Sequence, residues 1–389
     1  LEEFELIKKR KHPYLYEVDL MRCIFIFGVL ANHTTSAFIA NMTDSYPRLI
    51  LLATHLMLHF TRMGFMFITG LVLFLQHYND LDMSLFKFWK KRYKGSGIPY
   101  LFWNGFFLLF TAWMAKEKLG FGTWLGDWLW AVIHGDHFYM YYILVTFQLY
   151  LLFPLMLWLF RKYKNYHLLI FVISAVIQLF FLIWAKYIYP FQNHDHWPYL
   201  IKYYGNFVLA YQFYFVAGAF TSIHYQQIKR FFSKHQKMIY SLTGLLALGT
   251  FGLYYVNNKI LKLSEHYTEL IHQPYLMIYA SLMICTVLCL SWAYDRHRLE
   301  PKWQWFARLV AVSSKISFGV YLTQTFALTF LLKLLDPLKG AISDWLLLVC
   351  LPLGYVFVLG GTWLISYFCY KVPPFGILIG RPQKIFGRK

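Results

Sequence analysis

The stretch DLMRCIFIFGVLANHTTSAFIA, residues 19–40, decides what kind of protein this is. As a helix it is long enough to cross a hydrocarbon core, yet it carries Asp19, Arg22 and His33 among its apolar residues. A central Arg or Asp costs about 2.5–3.5 kcal/mol on an insertion scale, so each asks for a partner or a purpose. At 100° per residue, Arg22 and His33 fall within about 20° of one another on the helix surface and about 16 Å apart along its axis. Asp19 stands one turn before Arg22, in pairing range. One helix face therefore offers a cation near one end and an imidazole near the other. The plainer alternative is a helix-end pair, with Arg22 reaching to the surface and His33 hydrogen-bonded between helices. An imidazole with an ordinary pKa near 6.5 accepts a proton at neutral pH, which makes His33 the candidate general base.

The rest of the chain supplies the solvent for that helix. Of 389 residues 59% are hydrophobic and only 14% charged, too little polar surface to solvate a soluble globule of this size. The expectation is an all-α, polytopic integral membrane protein of about ten transmembrane helices, with lipid as its main surrounding. Apolar runs of spanning length fall near 19–40, 59–78, 98–114, 138–160, 167–189, 205–223, 238–257, 274–293, 317–335 and 344–370. Residues 49–58 read as an interfacial helix on the outer side. Aromatic residues make up 21% of the chain and crowd the edges of these runs, as in Tyr139-Met140-Tyr141-Tyr142, where amphipathic rings favour the headgroup zone. No repeat or soluble domain interrupts the pattern, so residues 1–389 read as one membrane domain with an N-terminal segment 1–18 and a tail 371–389.

The net charge of +19 argues against a nucleic-acid partner once its distribution is read. Lys and Arg collect in alternate connections, 79–97, 161–166, 224–237 and 294–316, and in the tail with Arg381, Lys384, Arg388 and Lys389. The positive-inside rule then places these connections and both termini in the cytoplasm. The run Lys8-Lys9-Arg10-Lys11 has no small-residue cleavage site behind it, so a retained first span is expected. The five cysteines lie in or at the ends of apolar runs, without the loop pairing of a disulfide framework. His55 and His59 have the spacing of helical metal ligands but no acidic or Cys partner nearby, so no metal site is expected. The outer connections hold His134, Asp136 and His137, then His194, Asp195 and His196, and a segment 257–273 with Glu265, His266, Glu269 and His272. Of these, His134, Asp136, His137, His194, Asp195 and His196 are candidates for an outer rim that meets sugar hydroxyls, although loop His and Asp also simply face water.

The first span resembles the acyltransferase-3 membrane family, whose signature is an Arg or Lys, ten residues, then His, matched by Arg22 and His33, with Asp19 at the acidic position before it. Phe65-Met66-Phe67-Ile68-Thr69-Gly70 is similar to its Phe-rich stretch ending in Ser-Gly. Lys90-Lys91-Arg92 with Pro99 resembles its basic loop before the third span. His137 with Tyr139 is similar to its His-x-aromatic element, and Ser317-Phe318-Gly319-Val320-Tyr321-Leu322 to its late Ser-x-x-x-Tyr-Leu helix. Many members carry His two positions after that Tyr-Leu pair; Gln324 stands here, able to hydrogen-bond but not to take up a proton. Tyr211-Gln212-Phe213-Tyr214-Phe215-Val216-Ala217-Gly218 and Ile379-Gly380-Arg381-Pro382 also resemble the intercellular-adhesion protein C branch, associated with poly-N-acetylglucosamine and biofilm.

The resemblance implies a bacterial plasma-membrane O-acyltransferase. It would move acetyl or succinyl from cytoplasmic acyl-CoA to a hydroxyl of an envelope or secreted polysaccharide, with polysaccharide synthase or export proteins as partners. His33 would act as general base or as acyl acceptor, and Arg22 with Lys90, Lys91 and Arg92 would hold the donor's phosphates. Gly95-Ser96-Gly97, expected at a helix start, would add free N–H groups to that anion site; positive-inside topology explains the same charges. His137, Tyr139, Thr69, Tyr321 and Gln324 are the expected acceptor-side residues, although Thr69-Gly70 also suits plain helix packing. The alternative function is a polysaccharide exporter without acyl-transfer chemistry, built around a midplane site. A third, a sensor or scaffold, lacks an attached signalling domain.

Overall fold

The computed structural model describes residues 14–383, so the expectations for Lys8, Lys9, Arg10, Lys11, Lys384, Arg388 and Lys389 lie outside the described residues. Within them the chain is helical, with no strand. In chain order the helices are α1 (Tyr16–Ile39), α2 (Tyr46–Leu58), α3 (Phe60–His77), α4 (Leu85–Ala115), α5 (Phe121–His134) and α6 (Tyr141–Lys162). They continue with α7 (His167–Tyr187), α8 (Gln212–Ile223), α9 (Tyr225–Tyr255), α10 (Pro274–His297), α11 (Gln304–Leu335) and α12 (Asp344–Lys371). Side-chain caps begin several of them: Ser45, Ser84 and Ser343 accept from the backbone N–H three residues on, which satisfies a donor the helix itself cannot.

Among the described residues nine helical stretches are long and apolar enough to cross a bilayer. Helix α7 turns Leu168, Leu169, Val172, Ile173, Val176, Ile177 and Phe180 outward, an apolar face that suits lipid and not water. Helix α1 sits inside the bundle against α3, α10, α11 and α12, with Met21, Phe25 and Leu30 fully covered.

Three expectations change. The run 205–223 is not one span: Tyr204–Asn206 and Val208–Ala210 are short 3-10 turns ahead of the twelve-residue α8. The break is tolerated because side chains replace the lost backbone bonds. Gln148 Nε2 donates to Asn206 O at 2.8 Å and Gln148 Oε1 accepts from Val208 N at 2.9 Å, while Gln178 Nε2 donates to Ala210 O at 2.9 Å. Second, the basic connections 79–97, 224–237 and 294–316 are largely helical, lying inside α4, α9 and α11, because hydropathy measures apolar length and Lys and Arg are good helix formers. Gly95-Ser96-Gly97 is therefore mid-helix and presents no free helix N-terminus. Third, α2 packs Leu51, Leu52 and Leu56 into the bundle, and the stretch 114–138 contains α5.

Two close approaches fix the frame. Helices α3 and α8 cross through Gly70 and Gly218: a Cβ on Gly70 would stand 2.1 Å from Phe215 O, and one on Gly218 2.0 Å from Phe67 O. At the other contact, Pro99 cannot donate to the carbonyl four residues back. Gly380, at φ +69°, comes so near this Gly95 oxygen that a Cβ would stand 2.6 Å from it. Residues 375–383 thus return to the bundle, held by Trp103 Nε1 on Leu378 O at 2.8 Å and by Gln383 Nε2 on Cys369 O and Tyr370 O.

Candidate active site

Arg22 and His33 line one cavity of about 560 Å³, enclosed by α1, α3, α4, α6, α11 and the returning tail. Its basic end is built from Arg22, Lys91, Arg92 and Arg381. Asp19 is saturated behind Arg22: it accepts from Tyr14 Oη at 2.8 and 2.9 Å and from Ser314 Oγ at 2.7 Å, and its Oδ1 lies 3.8 Å from the Arg22 guanidinium. It orients Arg22 and does not reach the cavity. Arg92 donates to Gln76 Oε1 at 2.8 Å, and Arg381 donates to Lys315 O at 3.1 Å. Burial first, and then the Arg22 guanidinium beside it, hold Arg381 below its ordinary pKa. Cations gathered at one mouth with a single buried carboxylate among them favour an anionic ligand. Lys90 is exposed and off the cavity, since three consecutive helical residues fan over about 200° and cannot share one face.

The opposite end holds His33, buried at 6% exposure, with its ring 4.0 Å from that of Tyr139. Neither ring nitrogen of His33 bonds to another described protein group, which leaves both for a ligand. Tyr139 is delivered by a tight turn in which Phe138 and Tyr139 both take positive φ, +53° and +63°, a costly conformation outside glycine. Tyr321 Oη donates to the Tyr139 carbonyl and pins that turn. Thr69 also lines the cavity, its hydroxyl bonded back to Phe65 O at 2.8 Å.

Two expected acceptor-side residues lie elsewhere. His137 points outward, bonded to Asp136 at 2.7 Å, because the left-handed turn after it sends alternate side chains apart. Gln324 is fully buried beyond the cavity wall, with both amide atoms unpartnered. His55 and His59 are held by Asn32 Nδ2, at 3.2 and 3.3 Å from their Nδ1 atoms. Among the described residues no group of three or more His, Cys, Asp or Glu is placed to hold a metal.

Arg62 is the residue the sequence reading missed. It lies inside the expected 59–78 span, and the same cost that singled out Arg22 applies to it. Helices α1 and α3 meet where Gly28 faces Thr61, so Arg62 lies within about two turns of His33. It has no ion-pair partner among the described residues and rests over the Tyr141 ring, 5.4 Å from its centroid. Arg62 and Tyr141 also line a second cavity of about 600 Å³, formed by the broken segment before α8 and the connection before α10.

A bundle of bilayer-length helices around a cavity with Arg22, Lys91, Arg92 and Arg381 at one end and His33 with Arg62 towards the other defines a polytopic membrane protein with a cationic internal site. The acyltransferase domain model matches residues 15–367, a span that takes in all of the cavity wall except Tyr14 and the returning tail, and the chain belongs to this acyltransferase-3 family. It is a membrane acyltransferase. No curated protein and no solved structure matches the chain.

Proposed function

We propose that this chain moves an acetyl or succinyl group from acyl-CoA, entering at the basic end from the cytoplasm, to a hydroxyl of an envelope or secreted polysaccharide on the other side of a bacterial plasma membrane. The observation that carries the reading is that Arg22 and His33 open onto one cavity, about 16 Å apart along a single helix. That separation suits a donor whose phosphates stay at one end while its thioester reaches the other. Arg22, Lys91, Arg92 and Arg381 would hold the phosphates. His33 would take the proton of the acceptor hydroxyl as its oxygen attacks the thioester carbonyl; the C–S bond breaks and the thiolate leaves with that proton. In the second route His33 nitrogen itself accepts the acyl group, releases the thiol, and passes the acyl group to the hydroxyl.

The test uses purified chain in nanodiscs with labelled acetyl-CoA or succinyl-CoA. Turnover that falls by about 100-fold or more in His33→Ala is expected; wild-type protein that turns over neither donor would overturn the reading. Mass spectrometry of envelope polymers made with and without the protein would identify acyl group and acceptor through the ester mass lost. The exporter alternative needs a polymer-wide path, and the two cavities instead share Arg62 and Tyr141 as a wall. Polymer translocation indifferent to His33→Ala would favour it.

A further inference from the structure

Polar atoms buried without partners are rare, and each asks for an explanation. Three of them gather in the second cavity. His272, 2% exposed, has no partner on either ring nitrogen, and Glu269 has none on Oε1. The His272 ring is wedged between the edges of Tyr204 and Tyr211, centroids 5.5 and 5.4 Å away. Tyr189, Tyr203 and Tyr267 complete an aromatic lining, and Lys202 and Arg62 are its cations. The volume, about 600 Å³, lies within the range of about 300–1,000 Å³ usual for small-ligand sites.

The chemistry of these atoms selects a ligand. Burial, and then Arg62, push the His272 imidazole down to about 3, so it is neutral and offers one donor and one acceptor. Burial, then Glu265, raise Glu269 to about 7 against the pull of Arg48, so its carboxyl both accepts and donates near neutrality. An acyl chain would leave all three atoms unpaired. A phosphate would pair with Arg62 and Lys202 and accept from one His272 nitrogen, but it would turn acceptor oxygens towards the other His272 nitrogen and towards Glu269 as it ionises, and an ammonium would meet Arg62 and Lys202. A ring bearing several hydroxyls, each both donor and acceptor, with apolar C–H faces for the tyrosines, satisfies every group.

We infer that the second cavity is the acceptor site, that it holds one or more saccharide units through His272, Glu269 and the tyrosine lining, and that it presents a hydroxyl to the reaction centre past Arg62 and Tyr141. The link to the reaction centre rests on the acyltransferase reading above; the sugar site itself does not.

The test therefore measures sugar binding without donor. Full-length chain in nanodiscs is titrated with maltotetraose and with the tetramer of N-acetylglucosamine, followed by saturation-transfer NMR and thermal shift. At least one tetrasaccharide is expected to bind, and Glu269→Gln and His272→Ala are each expected to weaken it about tenfold or more. Glu269→Gln keeps the side-chain shape, so weakened binding at an unreduced melting temperature is not misfolding. Binding of neither sugar to the wild type, or binding indifferent to both variants, would overturn the assignment. If the same preparation transfers acyl groups while sugar binding ignores both changes, only the cavity assignment falls. If sugar binding is lost in the variants but no acyl-CoA is consumed, the acyl-CoA donor reading falls and the sugar site stands.

Discussion

The two cavities are built differently. The first is walled largely by side chains on continuous helices, and its chemistry repeats at helical intervals: Arg22 and His33 on α1, Ser317 and Tyr321 on α11. The second is walled largely by short helical turns and the loops between them, residues 189–211 and 266–272, whose polar groups come together only when the chain folds. A span that must satisfy its own backbone can display only what lies on its surface. A broken segment can turn backbone and side chains alike into a cavity once residues such as Gln148 and Gln178 have taken over its hydrogen bonds. The α3–α8 crossing holds the two regions in register, with Arg62 and Thr69 on one helix and the broken segment leading into the other.

The largest effect is expected at that crossing. Gly218→Leu drives a side chain into the Phe67 carbonyl, a clash with backbone that should exceed the about 1–3 kcal/mol of ordinary overpacking and remove folded protein from detergent extracts. Gly244→Ala, on α9, has open space around its Cβ and should leave the melting temperature unchanged or slightly raised. Equal behaviour of the two would mean that α3 and α8 are not locked together.

The shared wall comes next. Removing the Arg62 charge with Arg62→Met is expected to lower acyl transfer about tenfold to 100-fold, the value of a charge-assisted contact, with Arg62→Lys intermediate. Transfer indifferent to both changes would show the two cavities to be independent. At the basic end, Lys91→Ala with Arg92→Ala should raise the KM for acyl-CoA about tenfold and leave kcat within about twofold. Lys90→Ala, one residue away but turned outward, should change neither. A matching loss in Lys90→Ala would mean that net positive charge, and not the geometry of α4, attracts the donor.

How much of this was legible follows from the same contrast. The membrane class and the placing of Arg22, His33, Thr69, Tyr139 and Tyr321 around one space come from periodicity and from a family pattern carried by helices. The interruption at 204–210 was not legible: hydropathy reads that run as apolar, and the residues that stabilise the break, Gln148 and Gln178, lie far away in sequence. The same limit hid the mid-helix position of Gly95-Ser96-Gly97, the outward turn of His137 and the return of Arg381 to the cavity. Arg62 was different. It stood inside an expected span, and the cost of burying a charge there was sufficient to find it.

The smallest expected effect separates what the second cavity does from what it costs. The Glu269 carboxyl, raised from 4.5 to about 7 chiefly by burial, keeps its proton in the folded chain over a pH range where the unfolded chain has already released it. The unfolded state therefore binds fewer protons, and the stability contributed by this group falls as pH rises from 4.5 towards 7, then stays low. Glu269→Gln removes the titration, so the drop in melting temperature between pH 4.5 and pH 8 should be smaller in the variant, and at pH 8 the variant should be the more stable protein. Identical pH profiles would place Glu269 in free contact with water. A variant that is more stable at pH 8 yet binds sugar less tightly would show a carboxyl retained against the interest of the fold, as expected where a site's function sets its chemistry.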